Sequence, residues 1–274
     1  MRRVVAGLIR RPRHRGLLPI GTVDSGVHGV AINVGANTTL PGFRAPIHPD
    51  GSFEYVPIPE REPTDDPVPT YADLDLPFSV PAELLDRRVH HDPAFAGTHG
   101  AETYTYGDEH GVKAGPLSDL SAGDWALFYA TLSTAGRGEL SVRDDADPAD
   151  WQAPAWGAYL IGAFRLAVDP VTGEGFRALP PDERERFAEN AHLRRETVDA
   201  KVLLAGDPDE SRLFDRAVPL SSRDAGSEAN RLVTDLSGDS GKGPWWRRPL
   251  RFDREGVETL LSCAEHGDYD VAFA

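Results

Sequence analysis

The side chains able to do acid–base or metal chemistry gather in a few stretches of the chain. His90-His91-Asp92-Pro93 is followed by Tyr104-Thr105-Tyr106-Gly107-Asp108. An imidazole beside a carboxylate can act as a general base with its orienter, or the two can supply ligands to a hard metal ion. His90, His91, Asp92 and Asp108 are therefore the candidate catalytic residues, with Tyr106 adding a phenol beside them. Adjacent histidines on an extended strand point to opposite faces, so one of the pair serves any given site. Asp92 before a proline also suits an Asx turn with no chemical role.

Asn33-Val34-Gly35-Ala36-Asn37-Thr38 is a second stretch. Amides and a hydroxyl on a glycine turn can hydrogen-bond a base edge or a phosphate, and the same residues can simply close a turn on their own backbone. Asn33, Asn37 and Thr38 are the nucleotide-binding candidates here. Trp245-Trp246-Arg247-Arg248-Pro249-Leu250-Arg251 is a third stretch, combining ring faces with guanidinium groups as proteins do when they hold single-stranded or flipped bases. Its alternative is a tryptophan anchored in the core with arginines paired to nearby acids. The chain has no P-loop, GxSxG elbow, HExxH or strand-to-helix GxGxxG, so the cofactor is unspecified. Cys263 is the sole cysteine. That excludes a disulfide framework and a cysteine-rich zinc site, and any metal must take His and carboxylate ligands.

These residues need elements to position them. Gly29 to Gly35 reads as a short buried strand that delivers Asn33 to a turn. Trp125 to Ala130, behind a Gly123-Asp124 turn, and Ala158 to Val168 read as central strands, with Lys201 to Ala205 as another. Residues 41–81 are a proline-rich connection, and Gly97 to Gly115 reads as a long surface loop. A polar helix is expected from Asp182 to Glu196 with Phe187, Ala188 and Ala191 on one face. Asp207-Pro208-Asp209-Glu210 has capping-box chemistry and predicts a helix that buries Leu213, Phe214 and Ala217. The last helix follows Asp253 and places Val257, Leu260, Leu261 and Ala264 on one stripe, with Cys263 as inert packing beside it. Strands and helices alternate without regular βαβ spacing, which argues for an α+β fold in a single domain over residues 27–274.

The 274 residues hold 40% hydrophobic side chains, enough for a packed core, and no apolar run long enough to span a bilayer. A membrane partner is excluded and a cytoplasmic location expected. Net charge is −15, and only three of the 29 basic residues are lysines: Lys113, Lys201 and Lys242. Such an acidic, lysine-poor composition resembles that of salt-loving archaea. Any basic patch for nucleic acid has to be local. The first 26 residues carry six arginines and a single acid, Asp24. They read as a disordered segment or a start called too far upstream, with a basic nucleic-acid arm as the alternative.

Taken together, the chain resembles the family called nucleotide modification associated domain 3. The resemblance is carried by Asn33-Val34-Gly35-Ala36-Asn37-Thr38, by Phe53-Glu54-Tyr55-Val56-Pro57-Ile58-Pro59-Glu60, by His90-His91-Asp92-Pro93, by Thr105-Tyr106-Gly107-Asp108, and by Gly123-Asp124 leading to Phe128-Tyr129. It runs from about residue 29 to the C-terminus. It implies a role in DNA base modification, a DNA or nucleotide partner, and DNA-modification enzymes encoded nearby, without implying a known reaction. The Gly-Asp turn and the strands after it also resemble PUA-like barrels, including the EVE and YTH readers of modified bases. That similarity implies a mixed, PUA-like or barrel-like β-sheet flanked by helices, with Trp125, Tyr129 and Trp245 lining an aromatic pocket. An enzyme would use His90, His91, Asp92, Tyr106 and Asp108 with Asn33 and Asn37 around a nucleotide. A reader would use the same polar groups to recognise a base stacked on aromatics. Both require the two polar stretches to converge.

The charge balance generates a first prediction. Like charges on so acidic a surface repel, and salt screens them. The melting temperature should therefore rise as KCl is raised from about 0.1 to 3 M. A melting temperature that stays flat across that series contradicts the halophilic reading.

Overall fold

The computed structural model describes residues 26–65, 67–134 and 148–274. The arginine-rich start lies almost wholly outside the described residues. Short apolar runs become strands, and the connections between them carry brief helices. In chain order these are β1 (Gly29–Asn33), β2 (Ile58–Pro59), β3 (Val89–His90), β4 (Thr105–Asp108), α1 (Gly111–Ser118), β5 (Trp125–Ser133), β6 (Trp156–Arg165), α2 (Gly173–Ala178), α3 (Pro181–Arg184), β7 (Val202–Ala205), β8 (Arg212–Pro219), α4 (Arg231–Thr234), β9 (Leu250–Phe252), α5 (Arg254–His266) and α6 (Asp270–Phe273).

Five strands form one mixed sheet in the order β8-β6-β5-β1-β9. β1 and β5 are parallel, and the other neighbours are antiparallel. Parallel neighbours cannot be joined by a tight turn and need a crossover. Here the crossover carries β2, β3, β4 and α1, and with them every residue from Asn37 to Asp108 singled out above. β2 pairs with β3, and β4 pairs with β7, as two small antiparallel ladders beside the main sheet.

The central strands are buried on both faces, so alternate side chains enter two different cores. Val30 and Ile32 of β1 join Ala126, Phe128, Ala130 and Leu132 of β5 in one. Ala31, Leu127 and Tyr129 join the other, packed against Val257, Leu260 and Cys263 of α5. In the first core Phe128 meets Phe95, Tyr106 and Phe164 at ring-centroid distances of 5.7, 5.5 and 4.5 Å. Gly162 makes that packing possible, because a Cβ there would stand 2.5 Å from the Phe95 ring. In the second, Asp253 accepts the Gly256 N–H at 2.8 Å to start α5, and Gly267 ends it in the left-handed region at φ 67°. Burial pushes the Cys263 thiol up to about 11, which fits inert packing.

The α+β fold in one domain stands, whereas the barrel does not: β8 and β9 are the edges of an open sheet. Three local expectations also change. The Asp207 side chain closes only a turn onto Asp209 N–H at 2.9 Å. The residues after it become β8, because Leu213 and its neighbours find backbone partners on β6. The helix expected from Asp182 to Glu196 breaks into α3 and two 3-10 turns, the second capped by Asn190, which accepts His192 N–H at 3.1 Å. The surface loop expected from Gly97 to Gly115 instead holds β4 and the start of α1. Among the described residues no helix is long and apolar enough to cross a membrane.

Leu260 is fully buried between α5 and the sheet. Leu260→Ala should cost about 2–5 kcal/mol of stability through lost burial and a residual cavity, read from urea unfolding. A loss below about 1 kcal/mol would mean that α5 is not integral to the core.

Candidate functional site

A cavity of about 380 Å³ lies between the end of β1, the β2–β3 pair, β4 and the start of α1. That volume falls within the range of small-molecule sites. Asn33, Asn37, His90, Asp92, Tyr106 and Asp108 all line it, so the two polar stretches do meet. Lys113, His192 and Arg195 complete its polar wall.

Asp92 is the centre of this wall and is buried. Both of its oxygens accept the Gly107 N–H, at 3.0 and 2.9 Å. Gly107 has no alternative side chain available to it, since a Cβ would come within 2.6 Å of the His192 ring. Asp92 Oδ2 stands 3.7 Å from His90 Nε2 and 3.4 Å from His192 Nε2. On the far side of each ring, His90 Nδ1 meets Glu60 at 2.6 Å and His192 Nδ1 meets Asp199 at 2.9 Å. The two imidazoles cross at 89° with centroids 4.9 Å apart. Arg195 ties the outer carboxylates together, donating to Glu60 at 3.0 Å, to Asp199 at 2.7 Å and to Glu109.

The electrostatics follow from these partners. Burial alone would raise the Asp92 carboxyl, but its interactions with the facing His192 and His90 imidazoles hold it below its ordinary value. Burial would likewise depress His90, and Asp92 and Glu60 instead lift it to about 9. His192 is raised for the same reason, by Asp92 and Asp199 against burial. Glu60 is held well below the usual carboxylate range by His90 and Arg195 despite its burial. A second grouping lies on β4 and α1. Asp108 accepts the Tyr106 hydroxyl at 2.8 Å and the His110 N–H at 2.6 Å, with Lys113 Nζ 3.8 Å away. Burial lowers the Lys113 ammonium against the opposing pull of Asp108, Asp92 and Glu109.

His91 points away from the cavity, as strand alternation requires. It lies against a separate small pocket with His99 and Ala94, where burial pushes it down to about 4 and its Nε2 has no partner. Asn33 lines the main cavity, and its amide nitrogen is buried with no hydrogen-bond partner. Asn37 spends its carbonyl oxygen on the Thr39 and Leu40 N–H groups at 2.8 and 3.1 Å, closing its own turn. Thr38 is exposed and outside the lining.

The aromatic candidates do not reach the cavity. Tyr129 and Trp245 sit in the core on the other face of the sheet, with Trp125 packed against it. The Tyr129 hydroxyl donates to Arg248 O at 2.7 Å and the Trp245 indole to Ser227 O at 3.1 Å. Arg247 is exposed beside them. These side chains therefore do not line this cavity: alternation along β5 turns Trp125 and Tyr129 to the other face of the sheet, and Trp245, in the 3-10 turn Trp245–Arg247, packs with them there.

Glu60, Glu109, Lys113, His192, Arg195 and Asp199 were not anticipated as site residues. Glu60 lay inside a string that carried the family resemblance, where it passed as part of a proline-rich connection. His192 and Arg195 fell in the expected polar helix. Their partners are 100 residues or so away in sequence: Arg195 meets Glu60 across 135 positions and His90 across 105. No local pattern encodes such pairs. The possible metal ligands among the described residues are His90, Asp92 and His192, with one ligand atom from each within 4.8 Å of the others, and the more exposed trio Glu109, His192 and Asp199.

The family model described as nucleotide modification associated domain 3 matches residues 28–262. The chain belongs to this family. No curated protein and no solved structure matches it. The family's description ties the chain to nucleotide modification, and the matched span contains the whole cavity and every residue of the Asp92 network.

Arg195 is the only cation that touches three carboxylates of this network among the described residues. Arg195→Met should leave Glu60 buried with a missing partner and cost about 3–5 kcal/mol, as breaking a buried pair does. Chemical denaturation checks this, and a loss under about 1 kcal/mol would show that the guanidinium is not structural.

Proposed function

We propose that the cavity is the active site of an enzyme that acts on a nucleotide or DNA base. The observation that carries this reading is the composition of the wall: imidazoles, carboxylates, a phenol and an ammonium converge on one cavity while Trp125, Trp245 and Trp246 pack on the other face of the sheet. Proton transfer needs a titratable group directed at the substrate. Base reading without chemistry needs an open ring face, and the Tyr106 ring is buried with its hydroxyl committed to Asp108.

In this reading Asn33 donates from its unpartnered amide nitrogen to an acceptor on the base. A buried donor without a partner is costly to the protein alone, by about 1–3 kcal/mol, and a ligand acceptor offsets that cost. Asp108 takes a substrate proton onto its carboxylate, with Tyr106 and Lys113 holding the charge in place. Lys113 and Arg61 line the cavity and serve phosphate.

The test is binding of modified and unmodified single-stranded oligonucleotides and free nucleotides in molar KCl, followed by mass spectrometry of the ligand. Asn33→Ala should weaken binding about tenfold or more while leaving the melting temperature unchanged or higher, because it removes an orphaned polar group. The parent should change the ligand's mass, and Asp108→Asn should not. Retained binding with an unchanged mass would turn the reading to a non-catalytic module. Failure of the parent to bind any of these ligands would reject both.

A further inference from the structure

We infer that Nε2 of His90, Nε2 of His192 and a carboxylate oxygen of Asp92 form a binding site for one divalent transition-metal ion, open to the cavity. This does not rest on the nucleotide reading. The argument starts from distances. The two Nε2 atoms stand 3.7 and 3.4 Å from the same Asp92 oxygen, which is too long for good hydrogen bonds. Ligand atoms held about 2.1 Å from a tetrahedral ion stand about 3.4 Å from one another. All three residues are buried, and all three line the cavity, so a fourth position faces the space where a water or substrate atom enters.

Orientation is the second argument. A ligating imidazole characteristically donates its remote N–H to a carboxylate, which fixes the tautomer and turns the other nitrogen's lone pair to the ion. Both rings have the carboxylate this requires at the remote nitrogen, Glu60 at 2.6 Å from His90 Nδ1 and Asp199 at 2.9 Å from His192 Nδ1. The third ligand is held equally firmly, by the Gly107 N–H on both Asp92 oxygens. Gly107 also leaves the room that His192 needs to approach.

Charge is the third argument. Glu60, Glu109 and Asp199 surround one guanidinium, that of Arg195, and Asp92 lies between the two imidazoles without contact to it. These carboxylates outnumber the one guanidinium, and a dication that takes the place of the imidazole protons balances them. The donor set of two nitrogens and one oxygen selects zinc, cobalt or ferrous iron over magnesium and calcium, which take oxygen ligands.

The test uses the full chain without a histidine tag, stripped by a chelator, desalted and titrated with Co²⁺ and then Zn²⁺ with no nucleotide present. The expected result is one ion per chain, visible Co²⁺ absorption bands that Zn²⁺ abolishes, and no displacement by a large excess of Mg²⁺. His192→Gln should abolish the bands. Should that variant fail to fold, Asp199→Asn, whose side chain is partly exposed, should still bind but about 10- to 100-fold more weakly, as loss of an outer partner does. A parent chain that binds neither ion, or folded His192→Gln or Asp199→Asn proteins that bind with parental affinity, would overturn the site. Because nucleotide binding is measured separately, loss of the metal site leaves the nucleotide reading standing or falling by its own assay.

Discussion

A carboxylate buried between two imidazoles organises this protein. Asp92 is expensive to place in the interior unless hydrogen bonds and opposite charge compensate it, and that compensation recruits elements from the whole chain. The β4 backbone supplies Gly107 N–H, β3 supplies His90, and the 3-10 turn at Ala191–Arg194 supplies His192. Each imidazole then needs its own acceptor, which brings in Glu60 and Asp199, and these need Arg195. The network thus ties the crossover between β1 and β5 to the segment before β7.

The sheet separates two jobs that this sequence gives to similar side chains. One face carries the ring cluster of Phe95, Phe128 and Phe164, and above it the polar cavity. The other carries Trp245, Tyr129 and α5, and serves as the anchor. Because alternate residues of β5 enter different cores, Phe128 and Tyr129 are neighbours in sequence yet lie on opposite sides of the fold. The same alternation separates His90, in the cavity wall, from His91, in a small pocket of its own with His99.

The acidity of the chain also takes on a local meaning. Most carboxylates face water, where salt screens them. Glu60 and Asp92 are buried and rely on fixed partners instead. An acidic chain with few lysines uses the planar fork of Arg195 to satisfy three carboxylates at once, which an ammonium could not match geometrically.

What local chemistry decides was legible in the sequence. The strands at Gly29, Trp125, Ala158 and Val202 follow from apolar runs, and α5 follows from its stripe and its Asp253 cap, because each depends on residues a few positions apart. The family resemblance and the two polar stretches pointed to Asn33, His90, Asp92 and Asp108, all of which line the cavity. Tertiary structure decided the rest. Asp207 to Glu210 held good helix-start chemistry, yet β6 offered the following residues a ladder, and non-local hydrogen bonds outweighed a local cap. The tryptophans suited a base-binding surface by composition, yet burial of their rings on the α5 side of the sheet took them out of reach of the cavity. His192, Arg195 and Asp199 became site residues only through contacts with Glu60, Asp92 and Glu109, far away in the chain. A buried charge takes its partners from whatever the fold brings within hydrogen-bond distance, and that distance is not written in any local spacing.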